Sequence, residues 1–174
     1  FCGRDPERLR AAAAELSALG PDLLPVQADV GVSADIERLV AGTLRRFGRI
    51  DGLVNNAGIY GPVGPAWEND VRHWQQTLNV NLSGVFLLCH EVVPGMIRAG
   101  RGKIINLSGG GAAGPFPRFS AYAVSKAAVV RLTETLAVEL ADHKIQVNAV
   151  APGFVATALH EATLAAGEKA GAFL

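Results

Sequence analysis

The sequence predicts an α/β fold built on a parallel sheet, and three observations carry that prediction. Short apolar runs that suit buried strands alternate with amphipathic helical patterns. The breaks between them hold helix caps, glycines and prolines where such elements start and stop. Apolar residues make up 49% of the 174 positions and charged residues 18%, enough for a packed core and too apolar for a disordered chain. Strands joined by helical crossovers pair in parallel, and a parallel sheet takes helices on both faces.

Phe1 and Cys2 read as the end of a strand. Asp5 follows as an N-cap with Pro6 at the first helical position, and an Ala-rich helix runs over 6–19 to Gly20. Residues 23–28 form the next strand, stripped of charge until Asp29. Ser33 caps a second helix, in which Ile36, Leu39, Val40, Leu44 and Phe47 recur at helical spacing and Gly48 closes the last turn. A strand over 50–54 leads into Asn55, Asn56, Ala57 and Gly58, and a loop rich in Gly and Pro covers 58–65. Val71, Trp74, Leu78, Leu82, Val85, Cys89, Val92 and Met96 place one apolar stripe on a single long helix over 70–96. Pro94 is expected to kink that helix or end it early. Strands at 103–107 and 145–151 flank a helix over 121–141, and an Ala-rich tail over 156–174 is predicted helical.

The length suits one domain. Sixteen basic and 16 acidic residues cancel, which gives no electrostatic case for nucleic acid or an anionic membrane. Two cysteines, Cys2 and Cys89, cannot build a disulfide framework, so a reducing, cytoplasmic compartment is expected. No apolar run is read as reaching the roughly 20 residues of a membrane helix. His73, His90, His143 and His160 are scattered without ligand spacing, so no metal is expected.

In an open parallel sheet, ligands bind beyond the carboxyl ends of the strands. Function is therefore sought at Gly3 and Arg4, Asp29 and Val30, the 55–58 turn, residues 108–111, and Pro152 onward. Tyr122 and Lys126 stand one helical turn apart on a helix that opens at this edge. A phenol near pKa 10 moves protons poorly at neutral pH, and a cation within roughly 4–6 Å favours the phenolate. The pair is thus a candidate general acid and base, with Lys126 expected to lower the Tyr122 pKa.

These residues resemble the short-chain dehydrogenase/reductase family of Rossmann-type, NAD- or NADP-using oxidoreductases. The matching segments run nearly end to end: Asp29 and Val30; Asn55, Asn56, Ala57 and Gly58; 79–86; 104–108; Tyr122 with Lys126; and 152–157. The resemblance implies a doubly wound sheet of order 3-2-1-4-5-6. It implies Tyr122 as proton donor in carbonyl reduction and acceptor in alcohol oxidation. Lys126 also meets the nicotinamide ribose, and Asn81 holds a proton-relay water, with Asn79 as an equal candidate on residue type. Asp29, with Val30 beside it, contacts the adenine. Asn55, Asn56, Ala57 and Gly58 run under the adenosine and ribose. Pro152, Gly153, Val155 and Thr157 hold the nicotinamide carboxamide and pyrophosphate. The substrate pocket falls to 59–67, 109–119 and Phe154 onward, with Tyr60, Phe116 and Phe119 prominent. A ketone, a 3-oxoacyl thioester, a sugar or a steroid suits such a pocket. Relatives pair through the helices at 70–96 and 121–141, so a homodimer or homotetramer is expected.

The family's carbonyl-polarising serine stands thirteen residues before the tyrosine, where this sequence has Gly109. Ser108, one residue earlier, is the candidate polariser, with the backbone N–H groups of the glycine turn as the fallback. At the end of the first strand Gly3 stands where an acidic residue would bind the ribose hydroxyls, and Arg4 follows, which favours NADP over NAD. The family's glycine-rich phosphate loop and first strand are not in the sequence, nor is a closing strand. The chain therefore reads as an internal portion whose missing strands belong between 23–28 and 50–54. On that reading, the 23–28 strand has no partner, and the isolated chain neither folds cooperatively nor binds NADP. A nucleotide-binding or interaction protein impaired in catalysis is the alternative function. An epimerase or dehydratase is a third reading, matched less well by the Pro152-Gly153 turn.

Overall fold

The computed structural model describes residues 1–20, 22–153 and 155. The parallel strands form two sheets. β1 (Cys2–Gly3) pairs with β2 (Val26–Gln27), Cys2 against Val26 and Gly3 against Gln27. β3 (Gly52–Asn55), β4 (Gly102–Leu107) and β5 (Ile145–Val150) form the second sheet in that order. Its register sets Leu53 against Ile104 and Ile104 against Val147. The strand expected over 23–28 is thus partnered, but it shrinks to two residues because β1 offers only Cys2 and Gly3 to pair with.

Local chemistry explains the helix boundaries. The Asp5 carboxylate accepts the amides of Glu7 and Arg8 at 2.9 and 3.2 Å and starts α1 (Pro6–Ser17). In α2 (Ser33–Phe47), Ser33 is the first helical residue rather than the cap, and its hydroxyl turns to Glu37 at 3.2 Å. Gly48 ends α2 with φ 76°, a left-handed value that glycine adopts without a Cβ clash. The single long helix of the prediction is three pieces: α3 (Val71–Leu78), a π turn (Asn79–Ser83) and α4 (Gly84–Ala99). Pro94 does not end α4, which continues to Ala99. Val92 and Met96 on either side are 4% and 0% exposed, and that packing holds the turn whose hydrogen bond proline removes.

The three pieces together are apolar, reaching a mean hydropathy of 1.5 over one window of Val71–Ala99. This exceeds what the sequence reading allowed, and the fold accounts for it. Val80, Val85, Leu88, Cys89, Val92 and Met96 are buried in the core with Ile104 of β4, Ile145 and Val147 of β5, and Ile36 and Val40 of α2. Helix α5 (Ser120–Glu139) adds Val129 at its buried face. In β4 and β5 the buried residues are Gly102, Ile104, Asn106, Ile145 and Val147, and the intervening Lys103, Ile105, Gln146 and Asn148 are exposed. A cleft of about 500 Å³ separates the two sheets, lined by Phe1 and Cys2 on one side and by 52–57 on the other. The predicted tail over 156–174 lies outside the described residues.

Candidate active site at the carboxyl edge of the sheet

Four segments meet beyond the carboxyl ends of β3 and β4: the 58–60 turn, the π turn, residues 108–111, and the first two turns of α5. Ser120 fixes the start of α5, its hydroxyl accepting Trp74 Nε1 at 3.1 Å and Asn69 Nδ2 at 3.0 Å. Tyr122 and Lys126 follow one turn apart, and both are buried. The Lys126 Nζ lies 5.6 Å from the centre of the Tyr122 ring and donates to the Leu107 carbonyl at 2.7 Å.

The expectation that Lys126 lowers the Tyr122 pKa meets a correction. Burial dominates and raises the Tyr122 pKa, and the nearby Tyr60 pushes it in the same direction. Lys126 is itself pulled down from 10.5 to about 8, because burial removes water from its ammonium. Both groups therefore titrate away from their solution values, as at sites of proton transfer.

Asn81 sits at 0% exposure in the π turn, whose asparagines and β-branched valine are weak helix formers. Its Oδ1 accepts the Ile59 amide at 2.8 Å and its Nδ2 donates to the Ile59 carbonyl at 2.9 Å. The same Nδ2 donates to Ser125 Oγ at 3.0 Å, which in turn donates to the Tyr122 carbonyl at 2.7 Å. Both amide protons are thus committed, so the side chain clamps the loop at Ile59. Asn79 drops out as an equal candidate, since its Nδ2 donates to the Gly31 carbonyl at 2.8 Å.

Ser108 is 4% exposed and its hydroxyl donates to the Lys126 carbonyl at 3.4 Å. Gly109 faces the site instead: a Cβ at this position would collide with the Tyr122 hydroxyl. Around it stand the rings of Tyr60, Phe116 and Phe119. Tyr60 is 4.7 Å from Tyr122 and 5.4 Å from Phe119, centre to centre, and Phe116 stacks on Phe119 at 4.6 Å. Trp67, from the expected pocket lining, is 86% exposed.

The residues expected to hold a dinucleotide are distributed along the same edge. Arg4 sits 3.8 Å from Asp29, and both line a small pocket with Gln27, Ala28, Asp35 and Arg38. Asp29 Oδ1 accepts the Gly31 amide at 2.8 Å, which holds the carboxylate at the end of β2, and Val30 is buried behind it. Asn56 and Ala57 are exposed at the mouth of the inter-sheet cleft. Gly58 keeps the backbone open above Lys126: a Cβ there would stand 3.5 Å from both Lys126 Nζ and Asn81 Oδ1. Pro152, Gly153 and Val155 are exposed beyond β5, and Thr157 and Phe154 lie outside the described residues.

Asn55 departs from the expectation. Its side chain is 4% exposed and turns into the sheet, where Nδ2 donates to Asn106 Oδ1 at 2.8 Å. Asn106 passes the chain on to Thr133 Oγ1 at 2.9 Å, and Thr133 to the Val129 carbonyl at 2.7 Å. Sequence reading missed Asn106, Thr133 and Ser125. Polar residues at core-facing positions of a strand and a helix are the signal that could have found them.

A buried tyrosine and lysine one turn apart, at the carboxyl edge of a parallel α/β sheet, define a class of oxidoreductase site. A family model described as short chain dehydrogenase matches residues 1–167, and the chain belongs to that family. Its fold is accordingly Rossmann-like. The 2-(R)-hydroxypropyl-CoM dehydrogenase of Xanthobacter autotrophicus is 40% identical over 142 residues, covering 80% of this chain and 57% of that protein. The structure of an NAD+-bound xylitol dehydrogenase superposes with a TM-score of 0.89 at 31% identity, over 98% of this chain and 66% of that one. A gluconate 5-dehydrogenase from Burkholderia cenocepacia, in complex with NADP and tartrate, gives 0.86 at 32% identity, over 94% and 64%. The chain thus spans less than two thirds of the length of each of these relatives.

Proposed function

We propose that the protein is an oxidoreductase that moves a hydride between NADP(H) and a carbonyl or secondary alcohol, with Tyr122 handling the proton. The observation that carries this reading is the buried Tyr122–Lys126 pair at the sheet edge, with its two shifted pKa values. The residues present suit a nicotinamide dinucleotide. Gly58 leaves a cradle over Lys126, whose ammonium has three protons and gives one to Leu107. Arg4 presents a half-exposed guanidinium at the end of β1, with no carboxylate at Gly3 to repel a 2′-phosphate. Arg4, Asp29, Gly58 and Lys126 would hold the dinucleotide, and exposed Pro152, Gly153 and Val155 would border its nicotinamide end. When bound in reduced form, the nicotinamide supplies the hydride.

This chain's own residues do the rest. The Tyr122 hydroxyl gives its proton to the carbonyl oxygen in reduction and takes it back in oxidation. The Lys126 ammonium stabilises the phenolate left behind. Phe116, Phe119 and Tyr60 shape an apolar wall that keeps water from the reacting carbon. Asn81 acts by positioning the 58–60 turn above Lys126. One domain, a cytoplasmic setting and a homo-oligomer formed through α4 and α5 complete the proposal. Phe86 on α4 and Val124 on α5, each 50% exposed, offer apolar surface for that pairing.

Gly109 favours a second reading, a nucleotide-binding protein impaired in catalysis, because it removes the serine hydroxyl from beside Tyr122. Turnover of a panel of ketones separates the two. In the full-length protein, Tyr122→Phe should lower kcat by about 10²- to 10⁴-fold, the scale of a lost general acid. Fluorescence titration should show NADP still bound. Wild-type turnover in Tyr122→Phe would overturn the reading.

A further inference from the structure

The site has a phenol to give the proton but no serine hydroxyl to polarise the carbonyl, because Gly109 occupies that place and Ser108 is turned away. A second phenol ring nevertheless packs against Tyr122. The Tyr60 and Tyr122 rings meet edge to face at 4.7 Å, with planes 62° apart. Among the described residues neither hydroxyl makes a hydrogen bond within the protein, so both remain to serve a substrate.

Tyr60 is also held in place. Its neighbour Ile59 is gripped at both backbone groups by Asn81. Gly61, at φ 72°, lies hard against the Thr77 side chain, and no Cβ fits between them. The Gly64 amide donates to the Arg118 carbonyl at 2.9 Å, tying the loop to the turn that carries Phe116 and Phe119. Phe119, at 1% exposure, backs the Tyr60 ring. A donor fixed before substrate arrives stabilises developing negative charge without having to reorganise.

Building on the reaction proposed above, we propose that the Tyr60 hydroxyl is the second hydrogen-bond donor to the substrate's carbonyl oxygen, standing in for the serine that Gly109 displaces. In reduction, the carbonyl carbon gains a hydride from a reduced nicotinamide dinucleotide, the C=O double bond becomes single, and the oxygen takes the Tyr122 proton. Tyr60 keeps its own proton throughout and shares it only as a hydrogen bond. Oxidation of the alcohol runs the same steps backwards. A tyrosine is longer than a serine and approaches from the 58–60 turn rather than from β4. The substrate is therefore gripped between two phenols, and its flanking groups lie against aromatic rings. This geometry suits a ketone with a flat or apolar substituent next to the carbonyl.

The test compares Tyr60→Phe with Tyr122→Phe in the full-length protein. Tyr60→Phe keeps the ring packing and deletes only the hydroxyl. It should lower kcat by about 10²-fold, the scale of one lost oxyanion donor, with KM and NADP affinity nearly unchanged. An unchanged kcat in Tyr60→Phe, with Tyr122→Phe inactive, would overturn this proposal and leave the reaction standing. The proposal also fails if Ser108→Ala loses more turnover than Tyr60→Phe. Wild-type turnover in Tyr122→Phe would instead overturn the reaction itself.

Discussion

The two sheets of this chain differ in strand length and in burial. β4 and β5 are six residues each, and beneath them an unbroken file of polar side chains runs from Asn55 through Asn106 to Thr133. β1 and β2 are two residues each, and α1 contributes no fully buried side chain. The charged groups divide the same way. Arg4 and Asp29 meet at 3.8 Å with side chains 54% and 33% exposed, whereas Lys126 is 4% exposed. The difference teaches how the work is shared. A proton-transfer pair needs a dry, fixed setting that shifts its pKa values, while recognition of a ribose or phosphate works through charges that water still reaches. Substitutions in the β3–β5 half should therefore disturb folding and chemistry together, and those in the β1–β2 half should change preference alone.

The largest stability effect is expected at Asn81. Asn81→Ala strands the half-buried Ile59 N–H and C=O, and urea unfolding should show a loss of about 1–3 kcal/mol. Turnover should fall as well, because the 58–60 turn loses its anchor. Gly109→Ala comes next. Its Cβ enters the space of the Tyr122 hydroxyl, so overpacking should destabilise the protein by about 1–3 kcal/mol and displace the phenol. Steady-state kinetics should show a lower kcat with an unchanged Kd for NADP.

Lys126 gives a pH signature of the buried half. Its folded-state pKa is about 8, below the ordinary 10.5, so above pH 8 the native state releases a proton that the unfolded state still holds. Stability should rise between about pH 8 and 10 and the rise should vanish in Lys126→Met, as melting temperatures will check. Above pH 10 the raised Tyr122 pKa works the other way, since the unfolded phenol ionises first. The smallest effect on stability belongs to Arg4→Asp, about 0–1 kcal/mol for an exposed ion pair. It should instead move the ratio of kcat/KM values from NADP toward NAD. The contrast between the halves breaks if Arg4→Asp destabilises the protein more than Asn81→Ala.

Much of this was legible in the sequence where one residue decides a local conformation. Asp5 with Pro6 marked the start of α1, Gly48 the end of α2, and the Tyr122–Lys126 spacing the face of α5 that carries the site. What was hidden depends on partners far along the chain. The length of β2 is set by what β1 offers, which residues 23–28 do not encode. The break at Asn79–Ser83 was masked because the apolar stripe runs through it without a missed beat. The roles of Asn55, Asn81 and Ser108 turned on where side chains point, and a motif fixes position along an element better than direction. The effect of Lys126 on Tyr122 was hidden for the same kind of reason: spacing gives proximity, but burial of both groups outweighs it.

The Asn81 clamp has one more consequence. A carboxamide carries the same donor and acceptor, at nearly the same separation, as a peptide group. By engaging the N–H and C=O of Ile59 together, Asn81 gives the chain at that point what a neighbouring strand would give. It is a one-residue substitute for a strand, borrowed from a helix. Aspartate has the acceptor but no donor, and glutamine sets the pair one methylene too far out, so the role is closed to both close analogues. A turn that would otherwise move as surface loops do is thereby bound to the stiffness of a buried helix, and Tyr60 inherits that stiffness.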